Sequence, residues 1–338
     1  MRTSARQAVL VLGMHRSGTS AVAGTISALG AALPRKTLMG SHECNERGLF
    51  EAFAIAAAHD QLLAAARSHW HDWREFDLGR LGFAAIEQQR DNLKAILVEE
   101  FAEEPFIVLK DPRICRFVPF TTSILAELNI RPIAVLPVRN PVEVAYSLQQ
   151  RNQFALSKSA LLWLRHVLDA EFFSRRMPRC FISYEKFIVD WRQDIDLVAA
   201  RTGVVWPNRS AEAEKWIDDF LTADLHHQRH SLLAAEDSDQ ISPMVGETYH
   251  LLMKLAYDGE TSETLAGLNR IRRQFNDGCK IFGPAIAAEE LAAADAVLMA
   301  ERDSVLAAHN YLVEKHDQLR RLYDDAMVQR EAAVRETP

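Results

Sequence analysis

One short stretch near the start limits what this chain can become. Ala8–Leu12 (AVLVL) is an unbroken apolar run, and Gly13-Met14-His15-Arg16-Ser17-Gly18-Thr19-Ser20 follows it directly. From Thr19 to Leu29 the residues favour a helix. An apolar run without alternation predicts a strand covered on both faces. A strand, a glycine loop and a helix start together make an anion site, because loop N–H groups and the helix dipole both favour negative charge. Ser17, Thr19 and Ser20 add hydroxyl donors.

Three further runs read as strands: Phe106–Leu109 (FIVL), Ile133–Val138 (IAVLPV) and Cys180–Ser183 (CFIS). Helical patterns fill Ala52–Arg67, Ala84–Ala102, Val142–Gln150, Ala160–Arg175 and Phe187–Thr202. This alternation predicts an α/β fold: a P-loop-like three-layer core in which helices flank a parallel sheet. Ligands of such sheets bind at the carboxyl ends of the strands.

Beyond about residue 205 the strand signal fades. Ala211–Leu221 and Val245–Phe275 read as helices, and Gly283-Pro284 is expected to break the chain. The expected organisation is a core over 1–205, a helical part over 206–284 that completes it, and a long helix over 285–338. In that last helix Leu291, Leu298, Val305, Leu312 and Leu319 recur every seven residues, with Met299, Leu306 and Val313 beside them. Asp295, Arg302, His309 and His316 are polar where a strict coiled coil wants a second apolar row. Three readings stay open: a helix packed on its own domain, a coiled coil that makes a homo-oligomer, and a disordered tail.

Composition excludes several functions. The 338 residues carry 39 Lys and Arg against 46 Asp and Glu, a net charge of -7, so nothing global points to nucleic acid. No apolar run approaches the ~20 residues that span a bilayer. The first residues, MRTSARQAVLVLG, read as a lead into a buried strand rather than a signal peptide. Cys44, Cys115, Cys180 and Cys279 form no C-x-x-C pair, which argues against structural zinc or disulfides and fits the reducing cytoplasm. The cluster His226-His227-Gln228-Arg229-His230 lacks a carboxylate or cysteine at a convincing spacing, so a polar loop or a basic rim is expected there and no metal.

Gly13 and Gly18 match the glycine spacing of G-x-x-x-x-G-K-[ST], yet Thr19 stands where the lysine belongs. The cation has moved three residues forward of that lysine, to Arg16. Transfer of a terminal phosphoryl group would lack its usual charge. A second motif follows Ile133–Val138: Arg139-Asn140-Pro141, with Ser147 eight residues after the arginine. Pro141 suits the first turn of a helix. An arginine fork and a hydroxyl converging on one spot suit a phosphate monoester. Cys180–Ser183 likewise leads into Tyr184-Glu185-Lys186-Phe187, and Phe106–Leu109 into Lys110-Asp111-Pro112-Arg113.

Together these segments resemble sulfotransferases that use 3′-phosphoadenosine 5′-phosphosulfate (PAPS), in their bacterial-type branch, over roughly residues 8–205. The resemblance implies that His15, Arg16, Ser17, Gly18, Thr19 and Ser20 bind the 5′-phosphosulfate. It implies that Arg139 and Ser147 hold the 3′-phosphate and that Tyr184 approaches the adenine. Several members carry lysine where Arg16 stands, and Lys186 replaces an aspartate of the family pattern. PAPS without a metal and a hydroxyl acceptor on a carbohydrate or glycosylated small molecule are the implied substrates. A P-loop kinase or nucleotide hydrolase, and a coiled-coil scaffold with a degenerate nucleotide fold, are the rival readings.

Acceptor activation needs a base within hydrogen-bond reach of the hydroxyl. Glu51 and Asp111 rank first, with Arg16 and Lys110 as charge stabilisers and Arg113 a possible clamp for the sulfonate or an acidic acceptor. The histidine that the cytosolic branch carries at the strand end before Asp111 is missing. In the polar stretch 39–51, His42, Glu43 and Glu46 are further base candidates and Arg47 is a candidate substrate clamp. Structural alternatives are an internal salt bridge around Asp111 and a helix-start charge at Glu51. His69, Trp70, His71 and Trp73 either stack on a sugar or plug the space between helices.

Overall fold

The computed structural model describes residues 6–37, 50–221 and 241–335. His42, Glu43, Glu46, Arg47 and the cluster 226–230 lie outside the described residues. Four strands form one parallel sheet: β1 (Arg6–Val11), β2 (Phe106–Lys110), β3 (Ile130–Val138) and β4 (Arg179–Ser183), in the order β2-β1-β3-β4. Val9 of β1 lies opposite Val108 on one side and Ile133 on the other. Every residue of β2 and β4 is buried, as continuous apolar runs require.

Helices connect the strands: α1 (Thr19–Ala28), α2 (Phe53–Ala65), α3 (Phe83–Phe101), α4 (Val118–Glu127), α5 (Pro141–Asn152) and α6 (Leu156–Ser174). After β4 come α7 (Tyr184–Val189), α8 (Trp191–Thr202), α9 (Ala211–Phe220), α10 (Pro243–Tyr257) and α11 (Ser262–Arg335). The fold is the expected α/β class. Val9, Val22, Ile26, Val135, Ile182, Phe187 and Ile217 pack in one core shared by the sheet, α1, α7 and α9.

The strand order reverses at β1. The chain runs from β1 out to β2 and then crosses back to β3 on the opposite side. Such a reversal opens a crevice beyond the carboxyl ends of β1 and β3, where neighbouring connections leave in opposite directions. Each strand also turns quickly into a helical start. Gly18 is the N-cap of α1. Asp111 caps the 3-10 helix Pro112–Arg116, accepting from the Arg113 amide at 3.0 Å. Asn140 caps α5 through the Val142 amide at 2.9 Å, with Pro141 in the first turn. Ser183 caps α7 through the Lys186 amide at 3.4 Å.

A buried charge network fixes the irregular segment after α2. Arg116 and Arg165 are fully buried and share Asp169, at 3.7 Å and 3.2 Å. Arg116 donates to the carbonyls of Asp72 and Arg74, both at 2.6 Å, and Arg165 to that of Trp73 at 2.9 Å. Burial lowers the Arg116 guanidinium to about 10, opposed by Asp169 and reinforced by Arg165. Carbonyls without secondary structure of their own thus find partners in the interior.

Several element boundaries differ from the sequence reading, and α4 is a helix that reading did not include. Phe187–Thr202 is split between α7 and α8, because Asp190 adopts a non-helical backbone (φ -147°, ψ 78°). Val245–Phe275 is split between α10 and α11, where Gly259 takes φ 86°, a conformation open to glycine. Gly283-Pro284 does not break the chain: α11 runs through with Pro284 inside it. Proline forfeits one helical hydrogen bond there, while Ala285, Ala287 and Ala288 that follow favour continuation.

The chain divides into two compact units, residues 1–277 and 278–338. In the second unit Leu298, Met299, Val305, Leu306, Leu312, Val313 and Leu319 are all exposed. No helix among the described residues is long and apolar enough to cross a membrane.

Asp194 in α8 is buried, and its Oδ2 accepts no hydrogen bond among the described residues. Burial raises its carboxyl to about 6; Lys186 opposes the shift and Asp190 adds to it. The folded protein therefore keeps a proton that the unfolded chain has released between about pH 4 and about pH 6, so stability falls as pH rises through that window. Asp194→Asn should stabilise the protein by about 2 kcal/mol at neutral pH and leave it unchanged near pH 4. Urea denaturation at the two pH values measures this, and an equal gain at both would refute the ionisation account.

Candidate active site

The four strand ends bring the sequence motifs to one edge of the sheet. At the end of β1 the loop passes through Arg16, whose φ of 71° is left-handed. A non-glycine residue pays for that conformation, so its neighbours must hold it there. Arg139 at the end of β3 donates Nη1 to the Arg16 carbonyl at 2.9 Å. The Arg16 side chain itself donates Nε to Ser147 Oγ on α5 at 2.6 Å. Residues 131 positions apart therefore meet at the switch point between β1 and β3.

Arg139 is buried and held on several sides. Its Nε and Nη2 donate to Glu143 Oε2, each at 3.0 Å, one helical turn further on. Its guanidinium lies 4.8 Å from the centre of the Tyr184 ring, a cation–π contact. Tyr184 also lies against Gly18. A β-carbon at Gly18 would come within 2.1 Å of Tyr184 Cδ2, and Gly18 itself has φ 83°. Two independent reasons thus require glycine here. Burial raises the Tyr184 phenol, partly offset by Arg139.

Within the loop, Ser17 and Thr19 are buried and Ser20 is half-exposed. Ser17 Oγ has no hydrogen-bond partner among the described residues. His15 Nε2 is likewise buried without one. Burial holds the His15 imidazole well below its ordinary value, with Arg151 and Arg113 adding to the shift and Asp111 opposing it. His15 is therefore neutral at physiological pH. Unpartnered buried polar atoms in an anion loop are what a bound oxyanion would satisfy.

The end of β2 supplies a second group. Lys110 and Glu51 are both buried and form an ion pair. Asp111 is buried and fully engaged. Its Oδ1 accepts from the Arg113 amide and from Arg113 Nη1, each at 3.0 Å. Its Oδ2 lies 2.8 Å from His59 Nδ1. Burial alone would raise the Asp111 carboxyl, but Arg113 and the His59 hydrogen bond hold it far below the usual carboxylate range. Its ionised oxygens then require His59 Nδ1 to donate, and His59 Nε2 is buried without a hydrogen-bond partner among the described residues. Arg113 is anchored further by Asp60, at 2.7 Å and 3.0 Å.

The expected candidates thus fall into two groups, Arg16 with Gly18, Arg139, Ser147 and Tyr184, and Lys110 with Glu51 beside Asp111. Sequence reasoning missed His59 and Glu143. Nothing in an alanine-rich helix singles out His59, and its partner lies 52 positions away. Glu143 was legible as an acidic residue in the first turn of α5. The expected base role of Asp111 meets an obstacle, because both its oxygens are taken and its affinity for a proton is low. No group of three or more His, Cys, Asp or Glu that could hold a metal ion occurs among the described residues.

No family model matches the chain, and no curated protein matches it. Solved structures similar to it include two sulfotransferase domains. One is the sulfotransferase domain from the Synechococcus PCC 7002 olefin synthase, 13% identical, with a TM-score of 0.39 over 81% of this chain and 96% of that one. The other is the sulfotransferase domain from the curacin biosynthetic pathway, 13% identical, with a TM-score of 0.38 over 80% of this chain and 98% of that one. Likeness at these scores carries no argument about function, which rests on the residues.

Gly18→Ala should destabilise the protein by about 2–4 kcal/mol, through a forbidden φ and a collision with Tyr184. Combining it with Tyr184→Ala should cost less than the sum of the two changes, because the collision is then removed. Denaturant titration of the four proteins measures the coupling, and strict additivity would refute the contact.

Proposed function

We propose that this chain is a PAPS-dependent sulfotransferase, moving a sulfuryl group to a hydroxyl of a carbohydrate or glycosylated small molecule. The observation that carries the reading is the meeting of Arg16, Ser147 and Arg139 at the crevice between β1 and β3. The unpartnered Ser17 Oγ and the left-handed backbone at Arg16 and Gly18 fit a loop built to receive an oxyanion. PAPS would supply the sulfuryl group, carried on a phosphate leaving group.

The residues divide the work by chemistry. Arg16 is permanently charged and would stabilise negative charge developing on the bridging and sulfonate oxygens. His15, Ser17, Gly18, Thr19 and Ser20 would hold the 5′-phosphosulfate with backbone and hydroxyl donors. Ser147 and the fork of Arg139 would hold the 3′-phosphate. Glu143 now shares that fork, so the phosphate would take over part of its place. The Tyr184 ring would face the adenine. Glu51 would take the acceptor proton, with Lys110 beside it to steady the charge. Asp111 would act as a positioning residue for His59 and Arg113 rather than as the base. No metal has a role in this reading. Cys115 and Cys180 are buried in reduced form, which supports a cytoplasmic setting.

Titration with 3′-phosphoadenosine 5′-phosphate (PAP), beside AMP, ADP and ATP, tests the proposal. PAP should bind without magnesium and about 100-fold more tightly than AMP, as a charge-assisted clamp on one added phosphate would give. Arg139→Ala should erase most of that difference. Preference for ATP with magnesium would replace the reading with phosphoryl transfer. Binding of none of them would favour the scaffold alternative.

A further inference from the structure

Between α7, α8 and α10 the chain leaves a cavity of about 220 Å3. Lys186 of α7, Asp194 and Leu197 of α8, and Ala256 and Tyr257 of α10 line it. Its lining includes none of Arg16, Arg139, Ser147 or Tyr184, so it is separate from the proposed nucleotide site. Liquid water takes about 30 Å3 per molecule, which leaves room for about seven waters or one small organic molecule. Drug-sized ligands occupy pockets of about 300 Å3 or more, so anything bound here is smaller.

One wall of the cavity carries an unanswered charge. Asp194 is only 2% exposed, and its Oδ2 has no hydrogen-bond partner among the described residues. Burying a carboxylate without a donor is costly, and a bound partner removes that cost. The Lys186 ammonium shares the cavity and its field reaches Asp194, yet among the described residues the two form no ion pair. Two opposite charges therefore border one space without closing on each other. Ser183 also borders it, but its hydroxyl is committed: it accepts from the Lys186 amide at 3.4 Å and donates to Glu185 at 3.2 Å.

This pair of charges narrows the ligand. A metal ion or a simple amine at Asp194 would meet the like charge of Lys186, and a simple anion at Lys186 would meet that of Asp194. A neutral molecule would leave Asp194 without a cation. A zwitterion answers both. Leu197, Ala256 and the Tyr257 ring offer apolar wall for a short hydrocarbon chain. We propose that this cavity binds a small aliphatic α-amino acid, with its ammonium on Asp194, its carboxylate on Lys186 and its side chain against Leu197, Ala256 and Tyr257. The site stands independently of the sulfuryl-transfer reading. Lys186 lies two residues after Tyr184 on the same short helix, so the bound molecule would adjoin the element whose ring rests on Arg139.

Ligand-observed NMR titration of the full chain with L-alanine, L-valine and L-leucine, at neutral pH and without nucleotide, tests this. The tightest of them should bind with a Kd of about 1 mM or below. It is then compared with the amine that lacks its carboxylate and the acid that lacks its ammonium. Each of these should bind at least about tenfold more weakly, since each forfeits one charge-assisted contact. Asp194→Asn should bring the amino acid down to the level of the acid, and Lys186→Gln down to that of the amine. Asp194→Asn is expected to stabilise the chain, so its loss of binding reads the site and not the fold. Absence of binding by all three amino acids, equal binding of either half-molecule, or unchanged affinity in either variant would overturn the proposal.

Discussion

The hydrogen bond from Arg139 to the Arg16 carbonyl holds the site together. It ties the end of β3 to the loop after β1 at the one place where the strand order reverses. Without it the left-handed Arg16 would have little reason to stay strained, and its side chain would not be aimed at Ser147. The same guanidinium also rests on Tyr184, which in turn leaves no room for a side chain at Gly18. One arginine thus couples β1, β3 and β4. Its own orientation is held by Glu143, one helical turn further on.

Charge is placed with economy around this edge. The cations at and after the end of β2 meet carboxylates in the interior, Lys110 with Glu51 and Arg113 with Asp111. Such buried pairs are costly to desolvate and costlier to break, so their presence at a strand end points to a demand for orientation rather than stability. Asp111 illustrates the point. It caps a helical turn, holds Arg113 and orients the ring of His59. A carboxylate with that many obligations organises its surroundings and has little capacity to accept another proton.

The aromatic segment after α2 depends on a second, deeper layer. Arg116 and Arg165 are long basic residues without exposure, and they share one carboxylate, Asp169. They hold a stretch of irregular backbone whose carbonyls would otherwise be unsatisfied. Buried cations here do the work that a strand or helix does elsewhere. That arrangement lets Trp73 face the interior while Trp70 and His71 are half-buried.

Much of this was written in local sequence. The four apolar runs without alternation were enough for a parallel sheet, because a strand covered on both faces needs apolar residues at every position. The glycine spacing and the shift of the cation to Arg16 were enough for an anion loop without its usual lysine. Periodicity could not place the breaks at Asp190 and Gly259, nor the passage of α11 through Pro284, since each depends on a single backbone conformation. Tertiary structure alone decided the rest: that Ser147 receives Arg16, that Glu143 occupies the fork of Arg139, that His59 stands behind Asp111 and that Tyr184 excludes any side chain at Gly18. These contacts join residues far apart in the chain, and no pattern within a segment encodes a partner that only the closing of the sheet brings near.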